Sequence, residues 1–305
     1  MKVVSVINYK GGVGKTTLTA NIAASIAKRG KKVLMIDLDP QASLTFSFVQ
    51  PDYWSQNIAK DKTIKNWFLL KKNGTDFNNL IVTPTAVQPY INSGLGGKLD
   101  LVSSHLALIN IDIELASMLG GANLKQNKHN FITTHHRLAE GLTQIPEGCY
   151  DIVLIDCPPN FNIVTKNAIV ASSHVLIPAK PDYLSTMGID YLNNSVETLV
   201  KEYNEYCAVD DDEDFHYPEI HPSTLGVVFT MVQYYGGQPI STIRPFINQT
   251  RQSQIPVFSH QLRENKTAFS DAGQFGVPVS VNTDGARTNL IPEIEDIVTE
   301  FLSRL

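Results

Sequence analysis

Cysteine is nearly absent from this chain: Cys149, Cys157 and Cys207 are the only three in 305 residues, with no Cys-x-x-Cys pair and no Cys/His spacing. A disulfide framework, a zinc site and a thiolate-held iron–sulfur cluster are thereby disfavoured, and a reducing cytosol fits best. Long apolar runs are missing as well. No stretch approaches the roughly 18 to 20 residues needed to span a bilayer, and the apolar start that ends at Asn8 is too short for a signal peptide. Positive charge is not in excess, with 25 basic against 30 acidic residues and a formal net charge of −5. This argues against a surface coated all over with nucleic acid, while leaving room for a local basic patch that makes a few salt-sensitive phosphate contacts. Internal repeats are absent too. With 43% apolar and 18% charged residues, the composition is that of a globular protein with a large core.

What is present is an alternation. Short Val/Ile/Leu runs at Val3–Ile7, Val33–Ile36, Ile152–Ile155, Val175–Ile177 and Leu225–Thr230 are separated by segments of helical period. Thr16–Arg29 reads as a helix stopped at Gly30. A second helix carries Ile189, Leu192, Val196, Leu199, Val200 and Tyr203 at three- and four-residue steps, one buried stripe. Continuous apolar strands joined by helices mean a mostly parallel sheet covered on both faces. The expected fold is a single doubly wound α/β domain over residues 1–305, with a variable insertion at about 46–98. Asp-Asp-Asp-Glu-Asp at 210–214 reads as a solvated acidic loop. The last helix, Pro292–Leu305, has one apolar face and an acidic opposite face, so it should pack on the body rather than lie on a membrane.

Between the first strand and first helix stands Lys10-Gly11-Gly12-Val13-Gly14-Lys15-Thr16-Thr17. The ordinary phosphate-loop pattern GxxxxGK[ST] fails at its first glycine, which is Tyr9 here. The physics of the loop remains. Its glycines permit backbone angles that aim successive N–H groups at phosphate oxygens, and the helix adds its positive end. Lys15 can reach the β- and γ-phosphates, and the Thr16 hydroxyl can take a position on Mg²⁺. The expected nucleotide contacts are Gly11, Gly12, Val13, Gly14, Lys15, Thr16 and Thr17. Asp37 and Asp39 follow the second strand, where parallel sheets place their ligands. Asp156 closes the strand Ile152–Ile155, the arrangement that holds Mg²⁺ in P-loop NTPases.

A second lysine at the head of the loop resembles the deviant Walker family that includes ParA, Soj and MinD. Asp37-Leu38-Asp39-Pro40-Gln41 matches that family's DxDPQ motif, and Leu99–Ser104, Thr165–Ala168, Val175–Pro178 and Gly226–Met231 match further segments. The resemblance implies a P-loop ATPase using ATP and Mg²⁺. It implies that Lys10 crosses to the partner's nucleotide in a sandwich homodimer and supplies transition-state charge there. It gives Asp39 the attacking water, so that Lys10, Lys15 and Asp39 are the catalytic candidates. Thr16 and Asp156 are the metal candidates, with Asp37 in the metal shell or structural. Thr230 and Met231, with the Arg263–Asn265 region, are candidate base contacts. Further implications are non-specific binding to nucleoid DNA, slow hydrolysis stimulated by a cargo-bound adaptor protein, and a plasmid, chromosome origin or protein body such as a carboxysome (the McdA branch) as cargo. The expected location is the cytoplasm, on the nucleoid and not on a membrane.

Departures from the family pattern fall after Met231. Val232–Gly237 replaces the acidic residue and nearby arginine that often follow, leaving Arg244, Arg251, Arg263, Lys266 and Arg287 as phosphate-contact candidates. The loop strand begins at residue 2, so operator-specific repression, as in longer partition ATPases, is not expected. Two other classes share the scaffold. A MinD-like membrane regulator would need a basic amphipathic C-terminus, and a metabolic ATPase would normally lack the DxDPQ element.

Overall fold

The computed structural model describes residues 1–69, 76–92, 94–207, 217–269, 276–282 and 290–305. The acidic run 210–214 and Arg287 lie outside the described residues. Six strands, β1 (Lys2–Val6), β2 (Lys32–Asp37), β3 (Lys98–Val102), β4 (Ile152–Asp156), β5 (His174–Ala179) and β6 (Ser223–Phe229), form one sheet in the order β3-β2-β4-β1-β5-β6. Every pairing in it is parallel. This is the expected doubly wound architecture, and the five apolar runs read from sequence lie on five of its strands. β3 (Lys98–Val102) overlaps the segment Leu99–Ser104 that carried the family resemblance.

The alternation along each strand explains why the runs look uniformly apolar. Val4, Val6, Val33 and Met35 join one core with Leu18, Ile22 and Ile26 of the first helix and Ile294, Ile297 and Phe301 of the last. Val3, Ile7, Leu34 and Ile36 join the other, with Ile163, Ile189, Leu192 and Val196. Both faces are covered, so neither phase of the period-two pattern can be polar. Ser5 is one of the polar exceptions, and its buried hydroxyl shares a 2.6 Å hydrogen bond with Ser172.

The first helix spans Lys15–Lys28 and the long one Tyr183–Cys207. The last, Ile291–Arg304, packs on the body as its pattern required; Arg29 reaches from the first helix to Glu295 at 3.0 Å. No helix among the described residues is long and apolar enough to cross a membrane. Residues 46–98 form short helices, including Pro51–Asn57 and Ile64–Leu69, whose Trp54 and Phe68 enter the two cores.

Candidate nucleotide site

Every parallel strand of the sheet ends on the same edge, and the loop after β1 occupies its centre. Gly12 and Gly14 have φ of 67° and 80°, left-handed values that cost a side-chain-bearing residue about 1–2 kcal/mol. Asn8 sets the loop's entry: its amide donates to the Pro178 carbonyl at 2.7 Å, and its Oδ1 accepts from the Lys10 N–H at 2.9 Å. The Tyr9 hydroxyl donates to Ser195 on the long helix, and its ring meets Phe161 and Tyr191. Where the ordinary pattern has glycine, this chain has an aromatic anchor. Just after β6, the buried Thr230 hydroxyl donates to the Val13 carbonyl at 2.6 Å, tying the loop down from the opposite side.

Lys15 is buried, and its ammonium donates to the Asn8 and Lys10 carbonyls at 3.1 and 3.2 Å. Burial pulls its pKa down and Asp156 opposes that pull. Asp156 is fully buried; one oxygen accepts from the Thr16 hydroxyl at 2.6 Å and the other has no hydrogen-bond partner among the described residues. Burial raises its pKa well above the carboxylate range, Asp37 adds to the rise, and Thr16 and Lys15 work against it. An orphaned oxygen beside a threonine hydroxyl is the donor set that a hydrated Mg²⁺ would use. Among the described residues, no group of three or more His, Cys, Asp or Glu could hold an ion unaided. A cation here would therefore share its shell with phosphate and water.

Asp37 serves differently. Its Oδ2 accepts from the Thr45 N–H at 2.8 Å and the Thr45 hydroxyl at 2.7 Å, and its Oδ1 accepts from the Asp39 N–H at 3.1 Å. Burial pushes its pKa up to about 7 against the pull of those hydrogen bonds. Of its two expected roles, the geometry fits the structural one: it pins the loop that carries Asp39. Among the described residues, the half-buried Asp39 carboxylate accepts only from the Gln41 N–H at 2.9 Å, while the Ser104 hydroxyl holds its backbone carbonyl at 2.7 Å.

Thr230 and Met231 line a cavity of about 270 Å³ that opens beside Gly12, Gly14 and Thr17. Lys180, Leu262, Lys266 and Phe269 complete its walls with the expected Arg263–Asn265 region. An apolar slot with a few polar groups next to the phosphate loop is suited to a planar base. Met231 has a φ of 53°, an unusual value for a residue with a side chain.

Lys10 lies beside the loop in the same chain, its ammonium 2.8 Å from both oxygens of Asp182. Asp182 also accepts from the Ser185 N–H at 2.8 Å, capping the long helix. Burial would raise its pKa, but the bonds from Lys10 and Ser185 outweigh that and leave it lowered. Sequence reasoning missed Asp182, Asn8 and Lys180. The one available signal was an aspartate three residues before Ser185 at the head of a helical pattern, a capping position. Among the DNA-contact candidates, Arg263 is ion-paired to Glu293 and Lys266 lies 3.7 Å from Glu264. Arg244 and Arg251 bracket the exposed, amide-rich face of the helix between them.

Comparison with known proteins agrees with this architecture. The AAA domain family model matches residues 1–209. Chromosome partitioning protein ParA of Caulobacter vibrioides is 29% identical over 259 residues, 85% of each chain. The ATP complex of an Asp-to-Ala variant of McdA from Cyanothece superposes with a TM-score of 0.70 at 20% identity, covering 99% of this chain and 96% of that one. Cobyrinic acid a,c-diamide synthase from Mycobacterium smegmatis, with bound ATP analog and magnesium, gives 0.62 at 22% identity, covering 90% and 93%. At such identities the two structures speak for the fold. Together with the paired lysines of the loop and the aspartates around it, these matches place the chain in the AAA domain family, as a P-loop ATPase of the ParA type.

Proposed function

We propose that the chain is an ATP-driven dimer switch that binds nucleoid DNA non-specifically in the cytoplasm and positions a cargo. The observation that carries this reading is Lys10. It stands at the rim of a phosphate loop that already holds one buried lysine, on an ion pair that water reaches. A lysine so placed is free to leave for a second subunit's phosphates. In this reading ATP takes its base into the slot beside Thr230 and Met231, and its phosphates onto the N–H groups of Gly11 to Thr17. Lys15 moves from the loop carbonyls to the β- and γ-phosphates. Thr16 and Asp156 would hold Mg²⁺, which would supply charge neutralisation at the phosphates. Asp39, whose carboxylate makes one backbone hydrogen bond, orients the attacking water, and Lys10 of one subunit stabilises charge on the other's nucleotide. Hydrolysis is slow until a cargo-bound adaptor accelerates it.

The exposed face between Arg244 and Arg251 supports the DNA part: two guanidinium groups flank Asn248 and Gln249, donors suited to a phosphate backbone. A membrane-bound alternative loses ground because the apolar face of the last helix is buried. The experiment is DNA binding measured with ATP, ADP or no nucleotide across a salt series. Binding should require ATP and fall steeply with salt. Equal binding without nucleotide, or none with it, would overturn the DNA reading.

A further inference from the structure

Between Glu219 and Glu264 the chain has no acidic residue, although it carries 30 in 305. The arginines of that stretch are Arg244, Arg251 and Arg263, so a chain of net negative charge carries a locally cationic segment. Its middle is the part that departs from the family pattern after Met231, and it folds as a hairpin. β7 (Tyr234–Tyr235) and β8 (Gln238–Pro239) pair antiparallel around Gly236 and Gly237, whose φ of 59° and 77° suit the tight turn that matches strand twist. The ribbon is braced from one side. The Arg263 guanidinium lies 5.4 Å from the centre of the Tyr234 ring, and the Gln233 carbonyl accepts from the Ile240 N–H at 3.0 Å. Arg244 donates from Nε to the Pro239 carbonyl at 2.6 Å, and Arg251 lines a cavity with Tyr234 and Pro239. Successive strand residues face opposite sides, so Tyr235 turns away from that support. It is 84% exposed, more than any other large apolar side chain described.

A braced ribbon that offers one ring beside a bare glycine turn leaves that ring free to enter a partner, and its surroundings indicate which. Gln233, Gln238, Asn248, Gln249, Arg244 and Arg251 are all exposed on the hairpin and the helix that follows it, and amides and guanidinium groups are donors for phosphate oxygens. The nearest acids come from the last helix and are largely spoken for: Glu293 pairs with Arg263 and Glu300 with His260, while Asp296 lines the same cavity as Arg251. An apolar protein pocket or a bilayer surface would call for further apolar side chains around Tyr235, and its neighbours are glycine and glutamine instead. Duplex DNA offers both parts, phosphates outside and stacked bases within. Its minor groove, about 6 Å wide, excludes a ribbon but admits a ring that leads it, and proteins that bind there wedge apolar side chains between base steps. We infer that Tyr235 is a DNA wedge: its ring enters the minor groove and stacks on the bases, while Arg251 and the amides beside it take the phosphates. Every base has a π-face, so the contact reads no sequence.

The inference rests on the DNA-binding part of the proposed function, and the test separates the two. The full chain, with Mg²⁺ and a non-hydrolysable ATP analogue, is titrated at several salt concentrations with mixed-sequence duplex DNA carrying 2-aminopurine, and with heparin, a polyanion that has no bases. Bound to the duplex, the unaltered chain should raise 2-aminopurine fluorescence by unstacking it. Tyr235→Ala should weaken duplex binding about tenfold, abolish the fluorescence rise, and leave the salt slope and heparin binding unchanged. Tyr235→Phe should behave as the unaltered chain does. Arg251→Gln should instead lower the salt slope by about one and weaken heparin binding as well. A Tyr235→Ala variant that binds the duplex normally, or that loses heparin to the same extent, would overturn the wedge and leave DNA binding standing. So would an unaltered chain that binds without the fluorescence rise. An unaltered chain that does not bind the duplex would overturn both.

Discussion

Asp100 and Asp156 lie on strands of the same sheet, 1% and 0% exposed, and their surroundings differ in kind. Asp100, within β3, accepts from the Thr83 hydroxyl at 2.6 Å and the Tyr150 hydroxyl at 2.5 Å, and pairs with Lys98 at 2.7 Å. Both its oxygens are engaged and its charge has a partner. Asp156, at the loop end of β4, has Thr16 on one oxygen and nothing among the described residues on the other, with Asp37 raising its pKa from nearby. A fully partnered buried carboxylate locks structure in place, whereas a half-partnered one carries a desolvation cost that a ligand can relieve. One sheet thus contains a finished carboxylate and, at its loop end, an unfinished one.

The largest expected effect belongs to the unfinished end. Lys15→Ala should lower nucleotide affinity by more than about a thousandfold, about 4 kcal/mol, because it removes a buried charge from the phosphates. Titration with a fluorescent ATP analogue measures it, and retained affinity would remove Lys15 from the site. The contrast itself is tested by a pair of variants. Asp100→Ala should destabilise the fold by about 3 kcal/mol, since it strands Tyr150, Thr83 and Lys98. Asp156→Asn should leave stability unchanged or raise it, while abolishing the Mg²⁺-dependent part of nucleotide binding. Urea unfolding and nucleotide titration of both would break the comparison if the two aspartates behaved alike.

How much of this was legible in the sequence follows the same division. The loop was readable because its chemistry is local: Gly12, Gly14, Lys15 and Thr16 act within one turn of chain. Asp37, Asp39 and Asp156 were readable from their places at strand ends. The strands showed because both sheet faces are buried. Pairings across the chain were not readable. Lys10 with Asp182, Thr230 with Val13 and Asp100 with Tyr150 join residues 172, 217 and 50 positions apart, and no periodicity records them. Trp54 was visible only as an oddity in residues 46–98. Its burial comes from Phe46 stacking edge-on against it and from its indole N–H donating to Ser103 at 2.8 Å.

Asp37 sharpens the comparison through pH. Its pKa is raised to about 7 in the folded chain and is about 3.9 when unfolded. The folded state therefore holds the proton more tightly, and the stability this contributes is full below about pH 4 and is lost as pH rises through about 7. Between pH 5.5 and 7.5 without nucleotide, the loss is about 2 kcal/mol. Asp37→Asn keeps an acceptor for Thr45 and removes the titration, so its unfolding free energy should lack that component. Parallel pH curves for the two proteins would contradict it.

The smallest effect expected is at Asp182, and it concerns how the unfinished end is held before ATP arrives. The Lys10–Asp182 pair is open to water, with side-chain exposures of 34% and 41%, so it holds Lys10 by no more than about 1 kcal/mol. That is weak enough to release and strong enough to set a threshold for closing the dimer. Asp182→Asn preserves the cap on Ser185, because an asparagine oxygen accepts the same N–H, yet it takes away the charge that retains Lys10. If the pair restrains Lys10 from reaching a partner, the ATP analogue concentration giving half-maximal dimer should fall about two- to fivefold in Asp182→Asn, with nucleotide affinity of the monomer unchanged. A rise in that concentration would mean that Asp182 works within the closed dimer, and that the ion pair of the free chain is no restraint on Lys10.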